Sequence, residues 1–106
     1  MKHKVLTKDG VKVVDLNRRR AVRYKCLDCS GFHPSEVDHC GLTTCPLHKF
    51  RFQSLRQDPQ ERNWAIRKFC VVCMGGEKAY VKNCESVHCP LWPYRMAAVD
   101  KSREIT

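Results

Sequence analysis

Cys26, Cys29, Cys40 and Cys45 follow one another as C-x2-C-x10-C-x4-C, and Cys70, Cys73, Cys84 and Cys89 repeat that spacing 44 residues later. Four thiolates brought together in this way are a ligand set for a soft or borderline metal ion, and tetrahedral zinc takes four sulfurs at about 2.3 Å. All eight cysteines of the chain belong to these two sets, and none is left over. A tight C-x2-C turn would aim two thiolates at one point. Gly31 and Gly75, two residues past the second cysteine, suit such a turn because glycine accepts positive φ without steric cost. Competing chemistries fit less well. Ferredoxin clusters crowd their ligands as C-x2-C-x2-C. A thioredoxin-like CxxC needs a βαβ setting that the chain does not suggest. Disulfides suit secreted proteins, whereas the charged start "MKHKVLTKDG" lacks the apolar core of a signal peptide and predicts an intracellular protein.

The cysteines sit inside a larger duplication. Residues 21–51 fall on 65–95 without a gap, and eleven of the 31 positions are identical, among them Ala21/Ala65, Arg23/Arg67, Val37/Val81, Leu47/Leu91 and Arg51/Arg95. A gapless duplication favours one ion in each repeat, giving two Zn2+ per chain. Sharing of ligands between Cys26/Cys29 and Cys70/Cys73 stays open as the alternative. The histidines are weaker ligand candidates. His33, His39, His48 and His88 face Glu77, Asn83, Trp92 and Thr44 in the other repeat, so the duplication does not keep them.

The elements that must hold these sulfurs are short. "EVDHC" and "YVKNC" read as strands arriving at the third cysteine. Pro46 and Pro90 follow the fourth cysteine, where proline suits a first helical turn. Leu47, Leu91, Phe50 and Tyr94 are expected to pack beside the metal. Asp9-Gly10 between apolar pairs predicts a hairpin over residues 4–15. Asp58, Pro59 and Glu61 predict a helix start with a capping box, and Trp64 is expected to bury against both modules. The fold class is therefore a small metal-stabilised α+β protein. Two tandem four-cysteine zinc modules, ribbon- or knuckle-like, follow an N-terminal β-hairpin. The divisions are a basic hairpin or arm at 1–20, module 1 at 21–51, a linker with a short helix at 52–64, module 2 at 65–96 and a tail at 97–106. Apolar residues look scattered, so metal rather than a core is expected to organise the chain.

The formal charge is +9, from 20 Lys and Arg against 11 Asp and Glu. Two tetrathiolate zinc sites of −2 each would reduce it to 9 − 4 = +5. Residues 1–25 carry nine of the cations against Asp9 and Asp15, while residues 26–45 carry none. A basic end of this kind points to a polyanion. Arg18, Arg19, Arg20, Arg23, Lys25, Arg67 and Lys68 are the candidate nucleic-acid contacts, and Trp92 or Tyr94 the candidate stacking residues. Arg51 and Arg95 have two readings, phosphate contact or support of an anionic metal site. No stretch approaches the roughly 20 apolar residues of a membrane span. No pair of carboxylates or histidines suggests catalysis, since a catalytic zinc keeps an open position that four cysteines would close.

The second repeat, "AIRKFCVVCMGGEKAYVKNCESVHCPLWPYRM", resembles small zinc-ribbon-like proteins of bacteriophages and prophages through its C-x2-C-x-G-G frame and its C-P-L-x-P-Y-R ending. The first repeat is a diverged copy, with Phe32 in place of the second glycine and Lys49 in place of the proline. The resemblance implies zinc binding and action in a host cytoplasm, and supplies no activity. Together these readings predict a non-enzymatic protein that binds nucleic acid, DNA rather than RNA, as a regulator of transcription, replication or recombination. The alternative is a module that binds and redirects or inhibits a host enzyme, with Phe50, Phe52, Trp64, Trp92 and Tyr94 as anchors.

Overall fold

A computed structural model describes residues 1–52, 56–96 and 98–104. Residues 53–55 of the expected linker and 97, 105 and 106 of the expected tail lie outside it. Two strands come first, β1 (Lys2–Thr7) and β2 (Gly10–Asp15), paired antiparallel from Lys2↔Asp15 to Thr7↔Gly10. The reversal falls on Lys8 and Asp9, and Gly10 takes φ 99° as it enters β2. Thr7 closes the turn by donating its hydroxyl to the Gly10 carbonyl at 2.7 Å. The hairpin is thus the predicted one, two residues longer at its start.

Among the described residues, the elements that follow the hairpin are helical, and they come twice. Helix α1 (Arg18–Cys29) and the one-turn helix α2 (Pro34–Asp38) precede a 3-10 turn at His48–Phe50. Helix α3 (Pro59–Cys73), one-turn helix α4 (Lys78–Lys82) and a 3-10 turn at Trp92–Tyr94 repeat that order. The short elements are offset by the same 44 residues as the sequence. Two expectations are corrected here. "EVDHC" and "YVKNC" are not strands: each is a single helical turn whose valine, Val37 or Val81, is its buried side chain. One buried apolar residue in five has no period, so the β-branched valine misleads. The basic run, whose first residues are expected in a hairpin or arm at 1–20, is helical from Arg18 onward. Asn17 caps it, its side chain accepting from the Arg20 amide at 2.8 Å, and Ala21 and Val22 bury against the core.

Helix α3 starts as expected at Asp58, whose carboxylate accepts from the amides of Gln60 and Glu61 at 2.9 and 3.2 Å, with Pro59 in the first turn. Glu61 takes a different role from the predicted box and pairs with Lys49 Nζ at 2.6 Å. Helix α3 runs unbroken from the linker through the third pair of cysteines.

Both long helices end on a C-x2-C pair and then reverse through two left-handed residues. Gly31 and Gly75 have φ 64° and 71°, and Phe32 and Gly76 follow at 65° and 88°. The amides of Phe32 and Gly76 return to the carbonyls of Leu27 and Val71 at 2.6 and 2.9 Å. Phe32 is the one described non-glycine residue with positive φ. A left-handed L-residue costs roughly 1–2 kcal/mol. A Cβ at Gly76 would meet nothing within 4 Å, so only the backbone resists substitution there. Gly76→Ala is expected to lower the denaturant midpoint by the equivalent of about 1 kcal/mol. Phe32→Gly should raise it by less, because the half-buried ring is lost.

The apolar residues that look scattered in the sequence assemble into one core. Its members come in repeat pairs, Ala21/Ala65, Val22/Ile66, Leu47/Leu91 and Phe50/Tyr94, joined by Val5 and Leu16 from the hairpin and its exit. The hairpin reaches past the first repeat to the second. The Leu6 amide donates to the His88 carbonyl at 3.1 Å. His3, 1% exposed, donates from Nε2 to the Val87 carbonyl at 2.9 Å and stacks on Trp92 with ring centres 6.1 Å apart. Among the described residues no helix is long and apolar enough to cross a membrane.

Candidate metal centres

The four cysteines of a repeat are positioned by three different pieces of local structure. The first two lie three residues apart on the last turn of α1 or α3, so both sulfurs sit on one helix face. The third lies just beyond α2 or α4, and the fourth at the turn before the 3-10 segment. In the second repeat Cys70, Cys73, Cys84 and Cys89 line one cavity of about 70 Å³, closed on other sides by Val81 and Leu91. The first repeat shows the same association through its electrostatics. Burial, and after it the neighbouring Cys45, Cys29 and Cys40, push the Cys26 thiol up to about 12. Burial with Cys89, Cys73 and Cys84 pushes Cys70 up to about 12. Each set gathers cysteines of its own repeat. All eight are free thiols rather than disulfides.

Among the described residues, no group of three or more His, Cys, Asp or Glu side chains is close enough to hold an ion as placed. The lining of one cavity by four thiols is the weaker and broader observation, and the chemistry of the set decides its meaning. Crowded buried thiols resist ionisation because each new thiolate faces the others in poor solvent. A divalent cation reverses that balance and binds the deprotonated sulfurs. Cys26, Cys29, Cys40 and Cys45, and Cys70, Cys73, Cys84 and Cys89, are therefore the residues that would hold zinc. An ion there would tie the end of a long helix to a one-turn helix and a 3-10 turn.

The surrounding residues make the two repeats mechanically alike where their sequences differ. His48 donates from Nε2 to the Cys40 carbonyl at 2.9 Å, and Trp92 donates its indole N–H to the Cys84 carbonyl at 2.8 Å. Histidine and tryptophan thus supply one ring N–H at one equivalent place, which is why the position need not stay histidine. With Nε2 so engaged and Nδ1 3.4 Å from Arg51 Nη1, His48 is a support and not a ligand. His39 bonds through Nδ1 to the Ser35 carbonyl at 2.9 Å.

The paired arginines are structural in the same way. Arg23 Nη1 donates to the Arg51 carbonyl at 3.1 Å and Arg67 Nη1 to the Arg95 carbonyl at 3.0 Å. Each thereby ties a long helix to the end of its own repeat, and each also favours the thiolate form of the first cysteine beside it. Arg95 is 6% exposed. Its guanidinium donates to the carbonyls of Val81, Trp92 and Lys82 at 3.1, 2.8 and 3.2 Å, pairs with Asp100 at 3.1 Å and lies 3.9 Å from the Trp92 ring centre. A phosphate has no access to it. Arg51 makes one of those carbonyl bonds, to His48 at 2.8 Å, and stacks on Phe52 at 4.5 Å.

Several of the predicted polyanion contacts are engaged within the protein. Arg18 lies over the Tyr94 ring at 5.1 Å and donates from Nε to Asn63 at 3.0 Å. Arg20 pairs with Asp15 at 3.4 Å, and Arg23 with Asp38 at 3.3 Å. Lys25 is drawn inward, to Asp28 at 3.1 Å, with its side chain 17% exposed. Burial alone would lower the Lys25 pKa, but the charges of Cys89, Asp28 and Cys29 outweigh it and raise the pKa. Lys25 therefore stands between the thiol sets of both repeats, a placement the duplication hides because its partner is Phe69. Only Lys68, of the seven, is an exposed residue without a described ion pair or hydrogen bond.

The expected stacking residues fare similarly. Trp92 and Tyr94 are 7% and 3% exposed and belong to the interior, while Trp64, expected inside, is 70% exposed. Trp64 was misplaced because α3 buries Ala65 and Ile66, which turns the preceding residue outward. The signal was available in the repeat: Ala21/Ala65 and Val22/Ile66 are kept, and the residue before them, Arg20 or Trp64, is polar in the first copy. Compared with known protein families, with curated proteins and with solved structures, the chain matches none.

Proposed function

We propose that this chain is a non-enzymatic zinc-binding protein, holding two Zn2+ through its two four-cysteine sets. In this reading it binds nucleic acid, DNA in preference to RNA, and regulates transcription, replication or recombination in the cytoplasm of a phage-infected host. The observation that carries the nucleic-acid reading is a cluster of like charges where α1 begins beside α3. Burial lowers the pKa of Arg62, and the charges of Arg19 and Arg18 lower it further. Three guanidiniums this close together form a local positive field that a phosphate backbone relieves. The net charge, +9 for the bare chain and +5 with both four-cysteine sites filled by zinc, acts in the same sense over longer range.

Binding of this kind is dominated by counterion release and so falls steeply with salt. The metal-loaded protein should bind duplex DNA with a log–log salt slope of several units, and Arg19→Ala should reduce that slope by about one. Affinity that is indifferent to salt would count against the reading. A second reading, an adaptor for a host protein, is favoured by the exposed apolar residues Leu42, Trp64, Val72 and Tyr80. A host polypeptide that stays bound after nuclease treatment, with no DNA affinity in the purified protein, would decide for it.

A further inference from the structure

An open groove of about 750 Å³ runs along α3. Its size lies within the range of small-ligand sites. Its walls combine two chemistries. Trp64 stands in it with Phe50, Ala65 and Val71, and 70% of the Trp64 surface is open to solvent. Lys49, Arg67, Lys68 and Lys78 line the same groove against a single carboxylate, Glu61, a local balance of 4 − 1 = +3. Lys49 is spent on Glu61 at 2.6 Å, and Arg67 on the Arg95 carbonyl and the Met96 sulfur, each at 3.0 Å. Lys68 and Lys78 are both exposed.

We infer that this groove takes single-stranded nucleic acid, one unpaired base lying on Trp64 and its flanking phosphates meeting Lys68 and Lys78. The charge pattern asks for an anion, and the open indole face asks for a flat apolar partner. An unpaired nucleotide joins both in one unit. A duplex does not, because its base faces are stacked away inside. Acidic peptides satisfy the lysines and leave the indole uncovered. The inference rests on the nucleic-acid reading above and narrows it from a charged surface to a site.

The test uses the full-length, metal-loaded protein and a thymidine homopolymer of about 15 nucleotides, long enough for a typical single-strand footprint. Trp64 and the buried Trp92 are the only tryptophans, so emission reports largely on the groove. The homopolymer is expected to quench it, and a duplex of equal length to quench it much less. Trp64→Ala should weaken single-strand binding about tenfold, Trp64→Phe should retain most of it, and Lys68→Ala with Lys78→Ala should lower the salt slope by about two. Duplex binding should be unchanged by Trp64→Ala. Wild-type single-strand affinity in Trp64→Ala, or stronger quenching by polyglutamate than by the homopolymer, overturns the assignment. If Arg19→Ala weakens binding while Trp64→Ala is silent, the groove is wrong and the broader reading stands. If the protein binds neither nucleic acid, both fall.

Discussion

A chelator strong enough to strip zinc is expected to unfold the metal-loaded protein, with loss of helical circular dichroism and of the cooperative thermal transition. The argument is one of magnitude. Structural zinc contributes on the order of 10–16 kcal/mol of apparent stability per site, while a whole domain of this size is stable by about 5–15 kcal/mol. Removing either ion therefore removes an amount comparable to the whole net stability. The core does not offset the loss. Its ten residues join the two long helices, the 3-10 turns and the hairpin, but the one-turn helices α2 and α4 contribute only Val37 and Val81 as buried side chains. A single helical turn has no stability of its own. Cys84→Ser should lower the metal content from two ions to one by native mass spectrometry and unfold the second repeat first. Two ions per wild-type chain is the expected count. A chain that keeps its spectrum and its melting transition in chelator would sink the metal assignment.

Arg95→Ala is expected to destabilise the metal-loaded protein by about 3–5 kcal/mol, read as a shift of the denaturant midpoint. The guanidinium is buried, spans three backbone carbonyls and caps the Trp92 ring, so its removal takes one donor from each of the Val81, Lys82 and Trp92 carbonyls and the cationic partner from Asp100. Arg95→Lys should recover little, because one ammonium cannot reach three carbonyls held by a planar fork. Arg51→Ala, with one such bond and a half-buried side chain, should cost about 1–2 kcal/mol. The difference between the repeats is the useful part. If both arginines served phosphate, their alanine variants would lose DNA affinity alike and keep their stability.

How far the chain could be read in advance depends on how local each feature is. The duplication, the existence of the N-terminal hairpin, the left-handed Gly31 and Gly75, and the cap at Asp58 were all legible, because each depends on residue type, spacing or neighbours a few residues away. The pairing of Leu47 with Leu91 and Phe50 with Tyr94 was legible through the repeat, which doubles the signal for a buried position. Four features were not. The C-x2-C pairs end long helices, the hairpin docks on Val87 and His88, Lys25 lies near cysteines of both repeats, and Trp64 faces outward. The basic run illustrates why. Its composition advertises charge, but the Arg18 and Arg23 side chains are held by Tyr94, Asn63, Asp38 and the Arg51 carbonyl, all far along the chain.

The amino-acid sequence by itself determined the chemistry available to this protein: which atoms can ligate, which turns the backbone must take, and that the unit is made twice. Those are properties of residue type and spacing. The tertiary structure alone decided which copies of that chemistry are reachable, burying Trp92, Tyr94 and Arg95 and leaving Trp64 and Lys68 outside. Reachability follows from which helix face the shared core claims, and that choice is made between residues more than 40 positions apart.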